Sequence, residues 1–396
     1  MVAIAPLSPE PIAVEARSCD LCGGADLASI WEFQHVAKTR ERHFLWSVRV
    51  VVCKNCGFGF ASPAPTAAAL AAYYGNSYLP LKGQARDYSI EARLTVIGRH
   101  HAGPKGCYVE IGSNDNTEFA QALGQRFEAI RTVELNDASG ATTTDAKDIA
   151  DGSADIVASY FVLEHVPDVH GFLAHCARIV RPKGAVIVEV PDLRLYPSDP
   201  SSLLLHEHVN HFTPNTLTAL AARHGLALRE VGRQDCSRSF GFVAVFAPDP
   251  TVTKAIAAGP NPAEFAEAVA CIRDGRAAID AFDARLAATR EKLAASVANG
   301  GSAVIWCANE VCRRLLDDAP PPKGVVIVDS NPLKANFLES VPVLQPEAAA
   351  ESIRRARLFA ICSPLYVGEI KNRIERIAGP NRERTYEVID KAITAR

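Results

Sequence analysis

No run of 18 or more apolar residues occurs in this chain, and its first residues do not pair a basic segment with an apolar core. These two absences predict no membrane span and no secretory signal. A long block of Lys and Arg is also missing and the net charge is −3, so the chain lacks the electrostatic footprint of a nucleic-acid binder. No Gly-x-Gly-x-x-Gly follows a predicted strand, which argues against a dinucleotide pyrophosphate as ligand. What remains is an ordinary globular composition, 48% hydrophobic and 22% charged over 396 residues, with room for two or three domains. Of the 11 cysteines, four fall in two Cys-x-x-Cys pairs and the others are scattered, a usage that fits a reducing cytoplasm, the expected location.

The two pairs are Cys19-Asp20-Leu21-Cys22-Gly23-Gly24 and Cys53-Lys54-Asn55-Cys56-Gly57. Each is a knuckle whose turn lets two thiolates reach one ion. Two knuckles make a closed tetrahedral site with no open coordination position, so Cys19, Cys22, Cys53 and Cys56 are expected to hold a structural zinc. His43 to Val52, between the knuckles, reads as strand. So small a domain cannot bury enough core alone, and the metal supplies the missing stability. Ser62-Pro63-Ala64-Pro65 is a break, Thr66 to Tyr74 a short helix, and Tyr73, Tyr74 and Tyr78 cluster before a polar linker. Junction tyrosines are packing residues by default, and here one hydroxyl is expected to face the active cleft.

The chain is organised around Val109-Glu110-Ile111-Gly112-Ser113-Asn114-Asp115-Asn116. Tyr108–Ile111 reads as a strand, Gly112 as the start of a tight turn, and Thr117–Leu123 as the beginning of a helix. Free N–H groups at such a helix start cradle a polar ligand. Glu134 closes the next strand, and its carboxylate can accept two hydroxyl hydrogen bonds from a ribose diol. Asp145, the strand before Tyr160, Leu163-Glu164-His165-Val166 and the strand Val186–Val190 follow in βαβ order. This predicts a mostly parallel sheet with helices on both faces, its ligand outside the carboxyl ends of the strands. Glu110–Asn116, Glu134, Asp145 and Tyr160–His165 should therefore converge.

Leu205-His206-Glu207-His208-Val209-Asn210-His211 comes next, before a helix capped by Thr213-Pro214. His-x-His could ligate zinc, but no third spaced ligand is evident, and His206 and His211 read as surface or cap residues. Beyond Thr251, Phe265, Ile272, Ile279, Leu286 and Leu293 mark one stripe of a long helix between Pro262 and Asn299. Three buried parallel strands then predict a second Rossmann-like unit, whose first turn, Cys307-Ala308-Asn309-Glu310, has no glycine and could not approach a dinucleotide's phosphates.

The strand–turn–helix and the motifs after it resemble class I S-adenosylmethionine-dependent methyltransferases over roughly residues 90–250. The whole order resembles the deoxysugar C-methyltransferases of natural-product biosynthesis, which methylate C3 of a nucleotide-linked 4-ketosugar. The motifs are the paired knuckles, Glu-Ile-Gly-Ser-Asn-Asp from Glu110, Leu-Glu-His-Val from Leu163, Glu207-His208, and Asp-x-Asn-Pro at Asp329–Pro332. The resemblance implies a zinc-binding domain (1–80), a class I methyltransferase domain with a Rossmann-like doubly wound sheet (81–250), and a C-terminal Rossmann-like domain with a long leading helix (251–396). It places S-adenosylmethionine on Glu110, Gly112, Asn114, Asp115 and Glu134, with Asp145 and Tyr160 nearby, and catalysis on His165, Glu207, His208 and Tyr78. Two departures stand out: Leu205 occupies a position where the family has a tyrosine, and Asn116 one where it has glycine.

A carbon beside a ketone becomes nucleophilic only when it loses a proton, so the site needs a base of near-neutral pKa and donors for the enolate oxygen. His208 is the expected base, Glu207 orients it or binds a sugar hydroxyl, and His165 donates to the oxyanion or shares the base role. Two rivals remain open: an O- or N-methyltransferase acting on a sugar or another small metabolite, which Leu205 favours, and a non-catalytic binding protein with a methyltransferase-like fold. The expected partner is a small molecule, with neither nucleic acid nor membrane involved.

Overall fold

The computed structural model describes residues 9–38, 43–74, 88–101, 103, 105–112, 117–134, 141–254, 260–298, 300–317, 319–335, 337–338, 341–381 and 383–389. Tyr78, Asn114 and Asp115 lie outside them. The chain divides into two compact units, Met1–Arg276 and Ala277–Arg396.

The first unit opens on two short strands, β1 (Glu10–Pro11) and β2 (Val14–Glu15), and a long hairpin, β3 (Leu27–Lys38) and β4 (His43–Cys53). Along β4 alternate residues are buried, from Phe44 through Trp46 and Val48 to Val50, as a half-covered antiparallel strand requires. After β4 come β5 (Gly59–Ala61), β6 (Ala64–Pro65) and α1 (Ala67–Ala72), whose N-cap Thr66 accepts from the Ala69 N–H. Strands β1, β3, β4 and β5 belong to one sheet.

Next in the chain stand α2 (Ile90–His100), β7 (Cys107–Ile111), α3 (Thr117–Gly124), β8 (Ala129–Val133), β9 (Ala154–Tyr160), α4 (Val169–Ile179) and β10 (Val180–Pro191). A two-residue strand β11 (Asn210–His211), α5 (Pro214–Ala222), β12 (Leu226–Gly232) and β13 (Gly241–Pro248) complete the body. The six-stranded sheet has the order β12-β13-β10-β9-β7-β8. Its β7, β8, β9 and β10 are parallel, while β13 runs antiparallel to both β10 and β12. Burial explains the antiparallel insertion. Residues 241–247 are apolar or glycine and fully enclosed, fit for a place between two strands, whereas β12 at the sheet's edge is buried only at Leu226 and carries Arg229 and Glu230. The strand order reverses direction at β7, between β8 and β9, and the crevice at the carboxyl ends there is where such sheets take ligands.

Strand β11 leaves this body and pairs with β5 of the first sheet, Asn210 opposite Phe60 and His211 opposite Gly59. The two sheets also share one core, in which Phe58 and Phe60 join Phe212 and Leu217. Helix α6 (Pro262–Val297) begins in this unit. The Glu264 carboxylate accepts from Thr213 Oγ1 and from Asn215 Nδ2, the latter at 2.8 Å, and so ties the start of α6 to the start of α5.

In the second unit, Leu286 and Leu293 of α6 are buried against a five-stranded parallel sheet. Its strands are β14 (Ala303–Trp306), β15 (Val325–Val328), β16 (Val343–Leu344), β17 (Leu358–Ile361) and β18 (Thr385–Val388), in the order β16-β15-β14-β17-β18. Helices α7 (Glu310–Leu316), α8 (Ala350–Arg355) and α9 (Val367–Ala378) connect them. Cys307 takes φ +77° in the first turn, a conformation usually left to glycine. The Asp329 carboxylate accepts the Ala308 N–H at 2.8 Å, so one amide of that turn is already spoken for. No helix among the described residues is long and apolar enough to cross a membrane.

Candidate active site

The cysteine knuckles form as their sequence requires. Gly23 and Gly57 take φ of +73° and +78°, and their N–H groups donate to the Cys19 and Cys53 carbonyls at 2.7 and 2.9 Å. The four sulfurs lie within 4.8 Å of one another, with Cys19–Cys56 and Cys22–Cys53 at 3.4 Å. These separations are far too long for a disulfide, and they approach the edge of about 3.8 Å that a tetrahedral zinc–thiolate site would have. Donation from the Cys19 thiol brings Cys56 down to about 6, which readies it to ionise. The cluster can hold a metal.

Elsewhere in the first unit, polar side chains from three segments far apart in sequence meet. His165 closes a short turn after β9, and His208 sits in the loop after β10, both at carboxyl ends of adjacent parallel strands. Their rings meet edge to face, centroids 4.7 Å apart. Glu164 stands beside both, its Oε1 3.9 Å from His165 Nε2 and 4.0 Å from His208 Nε2. Glu207 accepts a hydrogen bond from Tyr73 Oη at 2.6 Å, and Tyr74 Oη lies 3.4 Å from His165 Nδ1. The tyrosines arrive together because they follow α1 directly.

The loop that carries Glu207 and His208 is tied down from two directions. The Val209 N–H donates to the Glu164 carbonyl at 2.8 Å, and Asn210 Nδ2 donates to the carbonyls of Leu163 and Val166 at 3.0 and 2.8 Å. From the segment after β2, Arg17 donates to Asn210 Oδ1 at 2.9 Å, and from β5 the Ala61 N–H donates to the Val209 carbonyl at 2.9 Å. The knuckle-bearing sheet thus forms part of the wall of the site.

Electrostatics follow from enclosure. Burial lowers both imidazoles below the usual histidine range, His208 the further with His165 beside it, so both are neutral at pH 7 and His208 is a weaker base than the near-neutral one expected from the sequence. Burial pushes the Glu164 carboxyl up to about 8, against the Arg238 charge that pulls it down. His206 and His211 are not surface residues: they are 9% and 2% exposed. His206 stacks on His35 with centroids 4.1 Å apart and meets Trp46 edge-on, while His211 Nδ1 bonds Tyr196 Oη at 2.8 Å. Desolvation drives them to about 3 and about 4. His211 is enclosed by the β5–β11 pairing and His206 by β3 and β4, meetings of segments about 150 or more residues apart that leave no local trace in the sequence.

The expected cofactor residues are placed as follows. Gly112 follows β7 at φ +79°, and a Cβ there would stand 2.2 Å from Val162 Cγ2. Glu110 is buried within β7 and accepts from Tyr108 Oη at 2.9 Å. Glu134 lies half-buried just past the end of β8, beside the Gly112 turn, whose N–H donates to the Val133 carbonyl at 2.8 Å. Tyr160 ends β9 with its hydroxyl 3.5 Å from that of Tyr108. Asp145 is exposed and caps a turn of 3-10 helix, accepting the Lys147 N–H at 2.9 Å. Sequence reasoning gave no role to Arg93. Its buried guanidinium lies 3.9 Å over the Tyr160 ring and 4.0 Å over Tyr88, and it pairs with Glu189 at 3.7 Å. Nothing local in the sequence marks it. The carboxylate–ribose chemistry of Glu134 and the Gly112 turn at the switch point suit an adenosyl nucleoside.

Comparison with known proteins agrees with this layout. Residues 84–231 match the model of a family described as a methyltransferase domain. A segment of 97 residues is 32% identical to the C-methyltransferase NovU of Streptomyces niveus, covering 24% of this chain and 23% of that protein. The chain thus matches about a quarter of that relative's length. Among solved structures, 1,6-didemethyltoxoflavin-N1-methyltransferase of Burkholderia thailandensis is 14% identical, with 55% of this chain and 99% of that one covered and a TM-score of 0.37. Geranyl diphosphate C-methyltransferase of Streptomyces coelicolor A3(2) is 13% identical, with 40% and 80% covered and a TM-score of 0.33. Residues 84–231 thus match a methyltransferase domain, and the sheet that they and β13 build has the Rossmann-like class I fold of S-adenosylmethionine-dependent enzymes.

Proposed function

We propose that this protein is an S-adenosylmethionine-dependent C-methyltransferase acting on a nucleotide-linked ketosugar through an enolate. The observation that carries the reading is the neutral imidazole pair, His165 and His208, held 4.7 Å apart at the carboxyl edge of the sheet. A carbon beside a ketone must lose a proton before it attacks, as a hydroxyl acceptor must, so the pair supports base-assisted transfer, and the partial match to a C-methyltransferase favours carbon. Bound S-adenosylmethionine would supply an electrophilic methyl, with Gly112, Glu110, Glu134 and Tyr160 at its end of the site. His208 takes the α-proton, and His165 faces the enolate oxygen as donor. Glu207, fixed by Tyr73, holds a sugar hydroxyl or steadies the loop that bears His208. The resemblance to deoxysugar C-methyltransferases supplies the sugar, and the match to a C-methyltransferase supports transfer to carbon. Four cysteines hold a structural zinc that fixes the first sheet, and the three functional parts are 1–80, 81–250 and 251–396.

The test is a panel of nucleotide-linked ketosugars offered with methyl-labelled S-adenosylmethionine in deuterated water, read by mass spectrometry. The reading expects label on carbon, with deuterium entering at the α-position of substrate when S-adenosylhomocysteine replaces the donor. Label on oxygen or nitrogen without α-exchange would instead establish the heteroatom enzyme.

A further inference from the structure

Glu164 has no place in the chemistry outlined so far, yet it is the most enclosed polar group in the site. Its side chain is 1% exposed. One carboxyl oxygen, Oε1, faces the Nε2 atoms of His165 and His208 at 3.9 and 4.0 Å, and the other, Oε2, has no hydrogen-bond partner among the described residues. Neither separation is a hydrogen bond. Buried polar groups are almost always paired, so an orphaned carboxyl oxygen beside two candidate catalytic rings calls for a reason. An unpartnered Oε2 leaves the carboxyl free to turn about its last bond and meet either imidazole.

We propose that Glu164 is a positioning residue that shuttles the abstracted proton from His208 to His165, from which it leaves through Tyr74. The inference rests on the enolate reading of the same site. The groups are successive neighbours: His208 Nε2 and His165 Nε2 both face Glu164 Oε1, and His165 Nδ1 lies 3.4 Å from Tyr74 Oη. The side chains of His208 and Glu164 are 4% and 1% exposed and that of His165 is 24% exposed, so the relay opens toward solvent at its His165 end. The other charged and titratable groups facing these three are Arg238, which lies near both Glu164 and His165, Glu207 beside His165, His206 and His211 beside His208, and Tyr196 beside Glu164.

The proton balance is simple. The substrate C–H bond breaks, its electron pair stays as the enolate, and the proton goes to His208. Glu164, protonated at rest because burial raises it to about 8, gives its own proton to His165 and accepts the one on His208. His165 passes a proton on through Nδ1 and the relay is reset, with one proton leaving per methyl transferred. Nothing is oxidised or reduced.

The experiment compares wild type with E164Q, which keeps the shape and removes the exchangeable acid, and with Y74F, which removes only the exit hydroxyl. Infrared difference spectra of the free protein at neutral pH, wild type minus E164Q, should show the carbonyl stretch of one protonated buried carboxyl. Its absence overturns the inference whatever the substrate proves to be. With a ketosugar that wild type exchanges, entry of solvent deuterium at the α-carbon should fall about 10- to 100-fold in E164Q and less in Y74F, with KM unchanged. Unaltered exchange in E164Q, or a loss confined to KM, overturns it too. Failure of every ketosugar to exchange in wild type would count against the enolate reading and would leave the infrared band to decide on Glu164.

Discussion

Tyr73 donates to Glu207 at 2.6 Å across 134 residues of sequence, and this bond brings a phenol to a loop where position 205 is leucine. Leu205 itself is 45% exposed. The phenols near this site therefore come from the end of α1, with Tyr73 buried among Phe44, Trp46 and His206 and Tyr74 turned toward His165. The departure at Leu205 removes a local phenol without emptying the site of hydroxyls.

Y73F should accordingly cost more activity than stability. A hydrogen bond to a carboxylate contributes roughly 1.5–3 kcal/mol, and the buried ring stays in place. Turnover is expected to fall about tenfold or more, with a thermal midpoint within a few degrees of wild type. Steady-state kinetics beside a melting curve decides it, and full activity in Y73F would show that the bond is incidental.

Much of this architecture is legible in the sequence, and what is not has a common cause. The knuckles, the strand that ends before Gly112 and the apolar stripe of α6 are local patterns, set by turn chemistry and periodicity within a few dozen residues. The long helix is expected between Pro262 and Asn299 and is found at Pro262–Val297. The β5–β11 pairing, the burial of His206 and His211, the Arg93 stack and the Glu164 contacts all join residues far apart in sequence. No spacing rule reports such meetings. A buried histidine in a short loop looks the same on paper as an exposed one.

Removing the metal should silence the enzyme through that long-range pairing. Chelation, or C53A, frees the end of β4 and with it β5, which holds β11 and the Glu207–His208 loop. Wild type should contain one zinc per chain. Stripped protein should lose turnover further than it loses calorimetric affinity for S-adenosylmethionine, because the residues proposed for the nucleoside lie on or just past β7, β8 and β9. Metal analysis with both assays checks this. A metal-free protein with full turnover would end the structural assignment.

G112A tests the turn at the end of β7. The backbone there is at φ +79°, and a methyl group would lie 2.2 and 2.8 Å from the two γ-carbons of Val162. Left-handed backbone costs a non-glycine residue about 1–2 kcal/mol, and the clash adds to it. A loss of roughly 3 kcal/mol is expected, together with weaker nucleoside binding. G112A/V162A should recover the clash and leave the backbone cost. Denaturant melts of the three variants separate the two terms, and a double mutant no better than G112A would show that Val162 is not the obstacle.

Stability should be limited on the acid side by buried histidine and on the alkaline side by Glu164. His211 has a folded-state value of about 4 against 6.5 when unfolded. Between those values the unfolded chain binds a proton that the folded one refuses. Its contribution is therefore complete above pH 6.5 and is lost as pH falls toward 4, roughly 3 kcal/mol in all. Glu164 has the opposite sign: folded, it keeps its proton up to about 8, while the unfolded carboxyl releases it near 4.5. Here the folded state binds more protons across the interval, so stability declines as pH rises from 4.5 to 8. H211N should flatten the acid limb and leave the alkaline limb alone, whatever it does to the absolute midpoint, since Tyr196 loses its partner. E164Q should flatten the alkaline limb and raise the midpoint at pH 8 relative to wild type. Thermal melts from pH 4 to 9 on the three proteins measure both slopes. An E164Q curve parallel to wild type between pH 6 and 8 would mean that Glu164 is already ionised in the folded protein, and the proton relay would fall with it.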